Sequence, residues 1–216
     1  SGVYGGFNLG TNVGDQADAV AKNRQFLRAE LKLPEEPNWL EQVHGSDVLD
    51  LDAVGSSVAD AAVTGKPGRV CAVLTADCLP VLFSTVSGER VGAAHAGWRG
   101  LSRGVLSATV AAMGVAPGDI MAWLGPAIGQ VAYEVGDDVH TAFVTADPGM
   151  DECFARNARG RWQADLYGLA RHSLAAAGVD SVYGGGFCTF TEKERFYSYR
   201  REAPCGRQVT LIWRLP

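Results

Sequence analysis

Apolar residues along this chain occur both in compact runs and at helical spacing, and this pattern predicts strands mixed with helices. Ser87-Gly88 separates two of the compact runs and is a hairpin turn signal. Asp15 or Asp18 is predicted to cap the first helix, and Gly178 to end the last one. The pattern predicts strands at 70–74, 79–86, 89–95, 120–124 and 209–213, and helices from 15 or 18 to 31 and over 97–113, 137–145 and 165–177.

Strands joined by hairpins and mixed with helices indicate an α+β fold, in which helices cover the faces of a mixed sheet. The chain has 216 residues, of which 47% are hydrophobic, and this suits one domain with a sizeable core. No linker, repeat or low-complexity tract divides it, so we expect a single domain over residues 1–216. The chain starts at Ser1 within sequence that already reads as structured, so we expect some N-terminal residues to be missing from it.

Composition and charge exclude several classes of function. The formal net charge of −5 argues against nucleic-acid binding, which needs a basic face, although a local basic pocket for a phosphate-bearing ligand is compatible with it. There is no signal peptide and no apolar run of about 18 residues, so no membrane span is expected. The 5 cysteines include no CxxC pair, which disfavours a disulfide framework. A reducing, cytoplasmic location is therefore expected.

Three short strings place a histidine, a cysteine and a second histidine where apolar segments break into small or polar residues. If Val86 pairs with Glu89 across the turn, Pro80 lies opposite His95, and Cys78 lies diagonal to His95 on the same face. Diagonal neighbours are roughly 7–8 Å apart at Cα, close enough for both side chains to reach one metal ion. The strings are Gln42-Val43-His44-Gly45, Ala76-Asp77-Cys78-Leu79-Pro80 and Ala94-His95-Ala96-Gly97-Trp98-Arg99-Gly100.

His44 is the natural third ligand, although nothing in the sequence alone brings it to Cys78 and His95. Two histidines and one cysteine leave a fourth tetrahedral position open, which is typical of catalytic rather than structural zinc. Water bound there has a lowered pKa and serves as nucleophile or base.

Other interpretations of the same residues stay open at this point. A cysteine next to a strand is most often a small buried hydrophobic residue. Without a metal, Cys78 as nucleophile and His95 as base would make a cysteine hydrolase. A site closed by four ligands would instead indicate a metal-stabilised interaction domain.

Nine stretches, in order over nearly the whole chain, resemble the bacterial laccase-domain family, also called multicopper-polyphenol-oxidase-like and better described as purine nucleoside phosphorylases. The string that begins at His95 is the most specific of them. The matching stretches are Phe7-Asn8-Leu9-Gly10, Val13-Gly14-Asp15, Asn23-Arg24, Gln42-Val43-His44-Gly45, Ala76-Asp77-Cys78-Leu79-Pro80-Val81, His95-Ala96-Gly97-Trp98-Arg99-Gly100, Gly125-Pro126-Ala127-Ile128-Gly129, Tyr133-Glu134-Val135-Gly136 and Phe196-Tyr197-Ser198-Tyr199-Arg200-Arg201.

The resemblance implies a layered α/β/β/α sandwich with mixed sheets, and zinc held by His44, Cys78 and His95. It implies phosphorolysis of adenosine, inosine, guanosine or methylthioadenosine to the free base and ribose 1-phosphate, together with adenosine deamination. A copper-dependent polyphenol oxidase is an alternative that the family's older label suggests. We rank it lower, because 4 histidines are too few for a multicopper cluster beside a separate electron-transfer copper.

Further site residues are predicted around the metal. Proton transfer needs a carboxylate, and phosphate binding favours the planar fork of arginine. The expected partners are a nucleoside and phosphate, without nucleic acid or membrane, for a monomer or homodimer. Asp77, Arg99 and Glu134 are the predicted catalytic residues, and Asn8, Gln42, Arg200 and Arg201 are expected to contact substrate.

Overall fold

The computed structural model describes residues 2–215, so Ser1 and Pro216 at the ends of the expected domain lie outside it. Its five α-helices are α1 (Ala17–Glu30), α2 (Trp98–Ser102), α3 (Val105–Ala112), α4 (Asp137–Val144) and α5 (Leu166–Ala176). The strands are β1 (Asn38–Trp39), β2 (Val48–Asp50), β3 (Ala61–Thr64), β4 (Val70–Thr75), β5 (Leu79–Thr85), β6 (Val91–Ala96), β7 (Ile120–Leu124), β8 (Glu134–Val135), β9 (Phe154–Arg156), β10 (Trp162–Ala164), β11 (Ser181–Gly184) and β12 (Gln208–Trp213).

Three sheets organise these strands. The largest has six strands in the order β11-β7-β5-β6-β3-β2, and the other two have the orders β1-β4-β12 and β8-β10-β9. Parallel pairs (β1 with β4, β2 with β3, β7 with β11) occur beside antiparallel ones, so the fold is mixed α+β as predicted. Within residues 2–215, no helix has both the length and the apolar character needed to cross a bilayer.

Two apolar layers lie on opposite faces of the six-stranded sheet. On one face the side chains of Ala94 and Ala96 in β6 pack with the residues of α2 to α5. On the other face Ala93 packs with Cys71 and Val73 of β4, which belong to the β1-β4-β12 sheet. Outside that sheet, Arg24 of α1 lies 3.8 Å above the ring of Trp39 in β1. The layers therefore run helix, sheet, sheet, helix.

The hairpin between β5 and β6 has the predicted register, with Pro80 opposite His95. Its turn is longer than the predicted two residues, because the amide of Thr85 donates to the carbonyl of Arg90 and leaves 86–89 as the loop. One residue is added on each side of the turn, so the pairing is unchanged. Since side chains alternate along a strand, His95 shares the face of Ala93 and points between the two sheets.

Two predicted helix boundaries are wrong. The helix expected over 97–113 is divided into α2 and α3, because Gly104 adopts a left-handed conformation with φ of 84°. Neither Asp15 nor Asp18 is the N-cap of α1; that position is Gln16, whose amide donates to Oδ1 of Asp15. The remaining predicted elements are present, with ends that differ by one or two residues.

Candidate metal centre and its cavity

His44, Cys78 and His95 meet at the edge where β4 and β6 end and β5 begins. Their ligand atoms lie within 4.8 Å of one another, and among residues 2–215 they are the only such group of three. The Sγ atom of Cys78 is 3.9 Å from Nε2 of His44. Tetrahedral zinc with ordinary bond lengths places S and N about 3.5 Å apart. The donor set and its spacing therefore fit one metal ion.

Asp60 connects the two histidines, and the sequence analysis missed it. Its carboxylate is fully buried and lies 2.8 Å from Nδ1 of His95, so the Nε2 atom of that ring is left for a metal. The same carboxylate accepts the backbone N–H groups of Val43, His44 and Gly45 at 3.1, 3.0 and 2.6 Å. Hydrogen bonds of this kind commonly fix the orientation of metal-binding histidines. The one feature of the sequence that could have pointed to Asp60 is its position as a single carboxylate next to the apolar run 61–63.

Cys78 and His95 shift the pKa values of each other's side chains in opposite directions. Burial raises the pKa of the Cys78 thiol, but His95 and His44 outweigh burial and lower it to about 6. Burial lowers the pKa of His95, but Cys78 and Asp60 outweigh it and raise the value to about 9. The thiolate is the form of cysteine that binds metals, so this environment favours the binding form.

The backbone around the site is unusual at three positions. His44 and Asp77 have positive φ angles of 59° and 93°, which residues other than glycine rarely adopt. Such strain is often found at functional sites. At Gly97 a Cβ atom would lie 2.9 Å from Sγ of Cys78 and 3.0 Å from Cδ2 of His44. Only glycine leaves enough room there for the two ligands.

His44, Cys78 and His95 line a cavity of about 700 Å³, a size typical of small-molecule sites. Four arginines line it, and within the described part of the chain none of them forms an ion pair with a carboxylate. The protein as a whole carries a net charge of −5, so this concentration of positive charge is local. The cavity therefore favours an anionic ligand. The arginines are Arg24, Arg99, Arg200 and Arg207.

Asp77 and Gln42 lie on the cavity wall, but their polar atoms already have partners. The carboxylate of Asp77 accepts the Thr189 hydroxyl at 2.6 Å and the Arg200 amide at 2.7 Å. The amide of Gln42 both donates to and accepts from the backbone of Leu74, at 2.8 Å each. Both side chains hold segments of the wall together.

The structure does not bring three of the predicted residues to the wall. Asn8 is buried, and its side chain binds Asp15 and the backbone of Gly10 and Arg207. The carboxylate of Glu134 binds Asn157 and Arg159, and the guanidinium of Arg201 binds the backbone carbonyls of Thr189, Phe190 and Phe196. All three side chains are bound to other parts of the protein, and their roles at the site stay predictions.

Tyr133 is a wall residue that the sequence analysis did not single out. It is only 9% exposed, and within residues 2–215 its hydroxyl makes no hydrogen bond. The guanidinium carbon of Arg200 lies 5.3 Å from its ring. Burial raises the pKa of Tyr133 well above its ordinary value, so the hydroxyl remains a neutral donor.

The fold and the site together define a protein with one candidate metal centre at the end of a cationic ligand cavity. The chain belongs to the family described as Multi-copper polyphenol oxidoreductase laccase, whose model matches residues 1–215. It is 50% identical over 212 residues to the Escherichia coli protein named purine nucleoside phosphorylase YfiH, covering 97% of this chain and 87% of that one. A Pseudomonas aeruginosa protein, also named a purine nucleoside phosphorylase, is 49% identical over 211 residues, covering 97% and 86%.

Solved structures agree with this assignment. A Neisseria meningitidis protein of the DUF152 family superposes with a TM-score of 0.94 at 46% identity, covering 100% of this chain and 89% of that one. YlmD from Geobacillus stearothermophilus superposes with a TM-score of 0.89 at 31% identity, covering 100% and 87%. The mixed α+β fold is therefore that of the family.

Proposed function

We propose that this protein is a purine nucleoside phosphorylase. It cleaves adenosine, inosine, guanosine or methylthioadenosine with phosphate and releases the free base and ribose 1-phosphate. The observation that carries the proposal is a set of arginines on the wall of the cavity that contains the His44, Cys78 and His95 group. Within residues 2–215 these arginines have no carboxylate partner. The names of the two relatives at about half identity support it.

Zinc is the metal we propose for the centre. Two imidazoles and one thiolate are ligands that Zn²⁺ prefers, and the three leave one tetrahedral position open. When bound, zinc would polarise a substrate oxygen or activate water. A multicopper oxidase, the alternative suggested by the family's description, would need more imidazoles. His140 and His172, the other histidines, bind Asp151 and Asp147 outside the cavity.

Arg99 and Arg200 are the proposed phosphate-binding residues of the reaction. In the reaction a phosphate oxygen bonds to C1′ of the ribose, and the electron pair of the glycosidic bond leaves with the purine, whose nitrogen takes up the proton released by the phosphate. The carboxylate of Asp77 accepts the backbone N–H of Arg200, and the carbonyl of Glu134 accepts its Nη1. In the part of the chain that the structure describes, the other guanidinium N–H groups of Arg200 make no hydrogen bond and are available to a ligand. Tyr133 adds a neutral hydroxyl donor to the same group of residues. A planar guanidinium binds two phosphate oxygens at once, so it fixes the direction of attack.

Adenosine deamination is the second activity we propose, because the ligand set leaves a position open and Asp77 lies on the wall beside Cys78. Water would attack C6 of the purine, and ammonia would leave. Asp77 is the proposed proton carrier. This role requires its carboxylate to exchange one of its two present hydrogen bonds.

The test is incubation of adenosine with the purified protein, with and without phosphate, followed by chromatography of the products. Adenine that appears only with phosphate establishes phosphorolysis, and inosine establishes deamination. A protein with bound zinc that turns over no purine nucleoside contradicts the proposal. Activity that survives metal removal but not alkylation of Cys78 would instead support a cysteine hydrolase with His95 as base.

A further inference from the structure

We propose that the cavity holds a second anion subsite, formed by Arg24 and Arg207, which takes a phosphate group. The group is either the 5′-phosphate of a nucleotide or a free phosphate ion. The inference deepens the proposed function, because it extends the ligand class from nucleosides to their phosphate esters. Phosphorolysis uses one phosphate, and Arg99 and Arg200 are already assigned to it.

Arg24 and Arg207 converge on the peptide of Leu9, although 183 positions separate them in the sequence. Nε and Nη2 of Arg24 both donate to the carbonyl of Leu9, at 3.0 and 2.8 Å. The amide of Leu9 donates to the carbonyl of Arg207 at 3.1 Å. The guanidinium of Arg24 and the backbone of Arg207 are thus bound to one short segment, and a Cβ atom on Gly10, the next residue, would lie 2.8 Å from Cγ of Arg207. Gly10 lines the cavity with both arginines.

Protein contacts fix both guanidinium groups, and each group keeps N–H donors that have no partner within residues 2–215. Arg24 is stacked on Trp39 at 3.8 Å, and Nη1 of Arg207 donates to the carbonyls of Cys205 and Gly206 at 2.8 and 3.0 Å. In the described part of the chain, Nη1 of Arg24 and both Nε and Nη2 of Arg207 make no hydrogen bond. Donors fixed in this way are suited to phosphate, since little side-chain entropy is lost when it binds.

Among residues 2–215 neither arginine of this pair forms an ion pair, although the carboxylate residue Glu41 lines the same cavity. Burial lowers the pKa of Arg24, and Glu36 offsets this only in part. The carboxylate of Glu36 is already engaged with Nε1 of Trp39 at 2.8 Å and lies 4.0 Å from Arg28. An anion between Arg24 and Arg207 would supply the missing counter-charge.

The subsite differs from the place assigned to the phosphate of the reaction. The Arg200 guanidinium is bound to the carbonyl of Glu134 and lies over Tyr133, and that of Arg99 lies over Trp98. By contrast, the Arg24 guanidinium is bound to the carbonyl of Leu9, and that of Arg207 is bound to the carbonyls of Cys205 and Gly206. Both pairs line one cavity of about 700 Å³, which is in the upper part of the range for small-molecule sites. A nucleoside that carries a 5′-phosphate would reach both.

The test is calorimetric titration of the wild-type protein and of R207Q with adenosine and with adenosine 5′-phosphate. We expect adenosine 5′-phosphate to bind about tenfold more tightly than adenosine, the value of one good charge-assisted hydrogen bond. R207Q should remove this advantage, so that the two ligands bind with affinities within about twofold of each other. R69Q, which removes a surface arginine paired with Glu35, is the matched control and should keep it. If R207Q does not fold, R207K replaces it, because lysine keeps the charge but lacks the planar fork that binds two phosphate oxygens at once. R207K should reduce the advantage, and an undiminished advantage in R207K would count against the subsite.

Inorganic phosphate distinguishes the two sources of the anion. A site for the free ion is identified by two results together. Phosphate displaces adenosine 5′-phosphate from both wild type and R99Q, and phosphate binds only weakly to R207Q. Equal binding of adenosine and its 5′-phosphate to wild type overturns the proposal, as does an advantage that R99Q removes and R207Q does not. If no nucleoside is turned over but R207Q still weakens adenosine 5′-phosphate, the proposed function fails and the subsite stands.

Discussion

Asp60 and His95 are joined twice, by the 2.8 Å contact between Oδ1 and Nδ1 and by a 2.7 Å hydrogen bond from the His95 amide to the Asp60 carbonyl. The first contact sets the imidazole tautomer, and the second fixes the strand position from which the ring extends. The same carboxylate holds the backbone of His44. One buried side chain therefore positions two of the three candidate ligands.

The first prediction concerns D60N. Asparagine has nearly the same shape, but it lacks the charge and one acceptor, so the ring of His95 and the segment 43–45 lose their shared partner. We expect zinc affinity to fall about 10–100-fold and the free energy of unfolding to fall by about 2–3 kcal/mol. Competition with a chromophoric chelator and urea unfolding measure the two effects. The matched control is D52N, because the Asp52 carboxylate lies away from the cavity; this variant should lower stability but not zinc affinity. Unchanged zinc affinity in D60N would contradict the role assigned to Asp60.

The second prediction concerns metal removal. A metal that binds only the folded state at 1,000 times its Kd stabilises by about 4 kcal/mol, which corresponds to about 10 °C in Tm for a chain of this length. We expect a chelator to lower the Tm of wild type by about this amount and to have no effect on C78S. One equivalent of zinc should restore wild type. A Tm that chelation leaves unchanged, in protein shown to carry metal, would rule out a stabilising His44, Cys78 and His95 centre.

The third prediction concerns G97A. The φ angle of Gly97 is −67°, so alanine suits the backbone, and the whole cost falls on the neighbouring Cys78 and His44. We expect a loss of about 1–3 kcal/mol of stability through overpacking, and weaker zinc binding because the ligands must separate. G118A is the control, since a Cβ there meets nothing within 4 Å. Metal titration of both variants tests this, and equal zinc affinity in G97A and wild type would show that the ligands can move apart freely.

The fourth prediction concerns Y133F. Because the hydroxyl has no partner among the described residues, its loss should not reduce stability. If it donates to the phosphate held by Arg99 and Arg200, the KM for phosphate should rise about tenfold while the KM for the nucleoside stays within about twofold. Y183F, an exposed tyrosine on β11, is the control. Steady-state kinetics with each substrate varied measures the two constants, and parallel rises in both would argue for a general distortion of the cavity.

The fifth prediction concerns Asp52 and pH. Burial raises the pKa of Asp52, but the hydroxyl of Thr64 at 2.6 Å and the amide of Gly65 at 2.7 Å outweigh it and keep it below the ordinary 3.8. A lowered folded-state pKa gives stability that is present above the unfolded value and lost as pH falls through the folded one. D52N should therefore cost about 1 kcal/mol at pH 7, and the difference from wild type should shrink below about pH 4. Urea unfolding at pH 7 and below about pH 4 tests this. A stability difference between D52N and wild type that is the same at both pH values would show that the charge of Asp52 does not contribute to it.

The parts of the fold that local pattern determines could be predicted from the sequence. The register that places Pro80 opposite His95 follows from the turn signal. Together with the alternation of side chains, it correctly places Cys78 close to His95. The division of α2 from α3 could not be predicted, because the apolar spacing of Leu101, Val105 and Thr109 continues through the break at Gly104.

The parts of the site that depend on distant segments escaped prediction. His44 is held by Asp60 and by the contact between Gln42 and Leu74, and each of these joins residues at least 15 positions apart. Asp60 itself is a polar residue next to an apolar strand, where the pattern alone does not tell a solvent-facing carboxylate from a buried one. Glu134 and Arg201 have suitable chemistry for the site, but the tertiary structure turns their charged groups toward other partners.

The four-residue loop at 86–89 has a consequence for how this gene can vary. Loops at the surface usually tolerate insertions and deletions. The strands on either side of this loop differ in this respect, because His95 lies near the far end of β6 and Cys78 lies just before the far end of β5, and both are candidate metal ligands. A change in length that the loop cannot absorb would slip the pairing by one residue and turn His95 from the space between the sheets toward the helices. Natural variation at this turn should therefore preserve the pairing of Pro80 with His95, so that a solvent-exposed loop is constrained by chemistry at the opposite end of the hairpin.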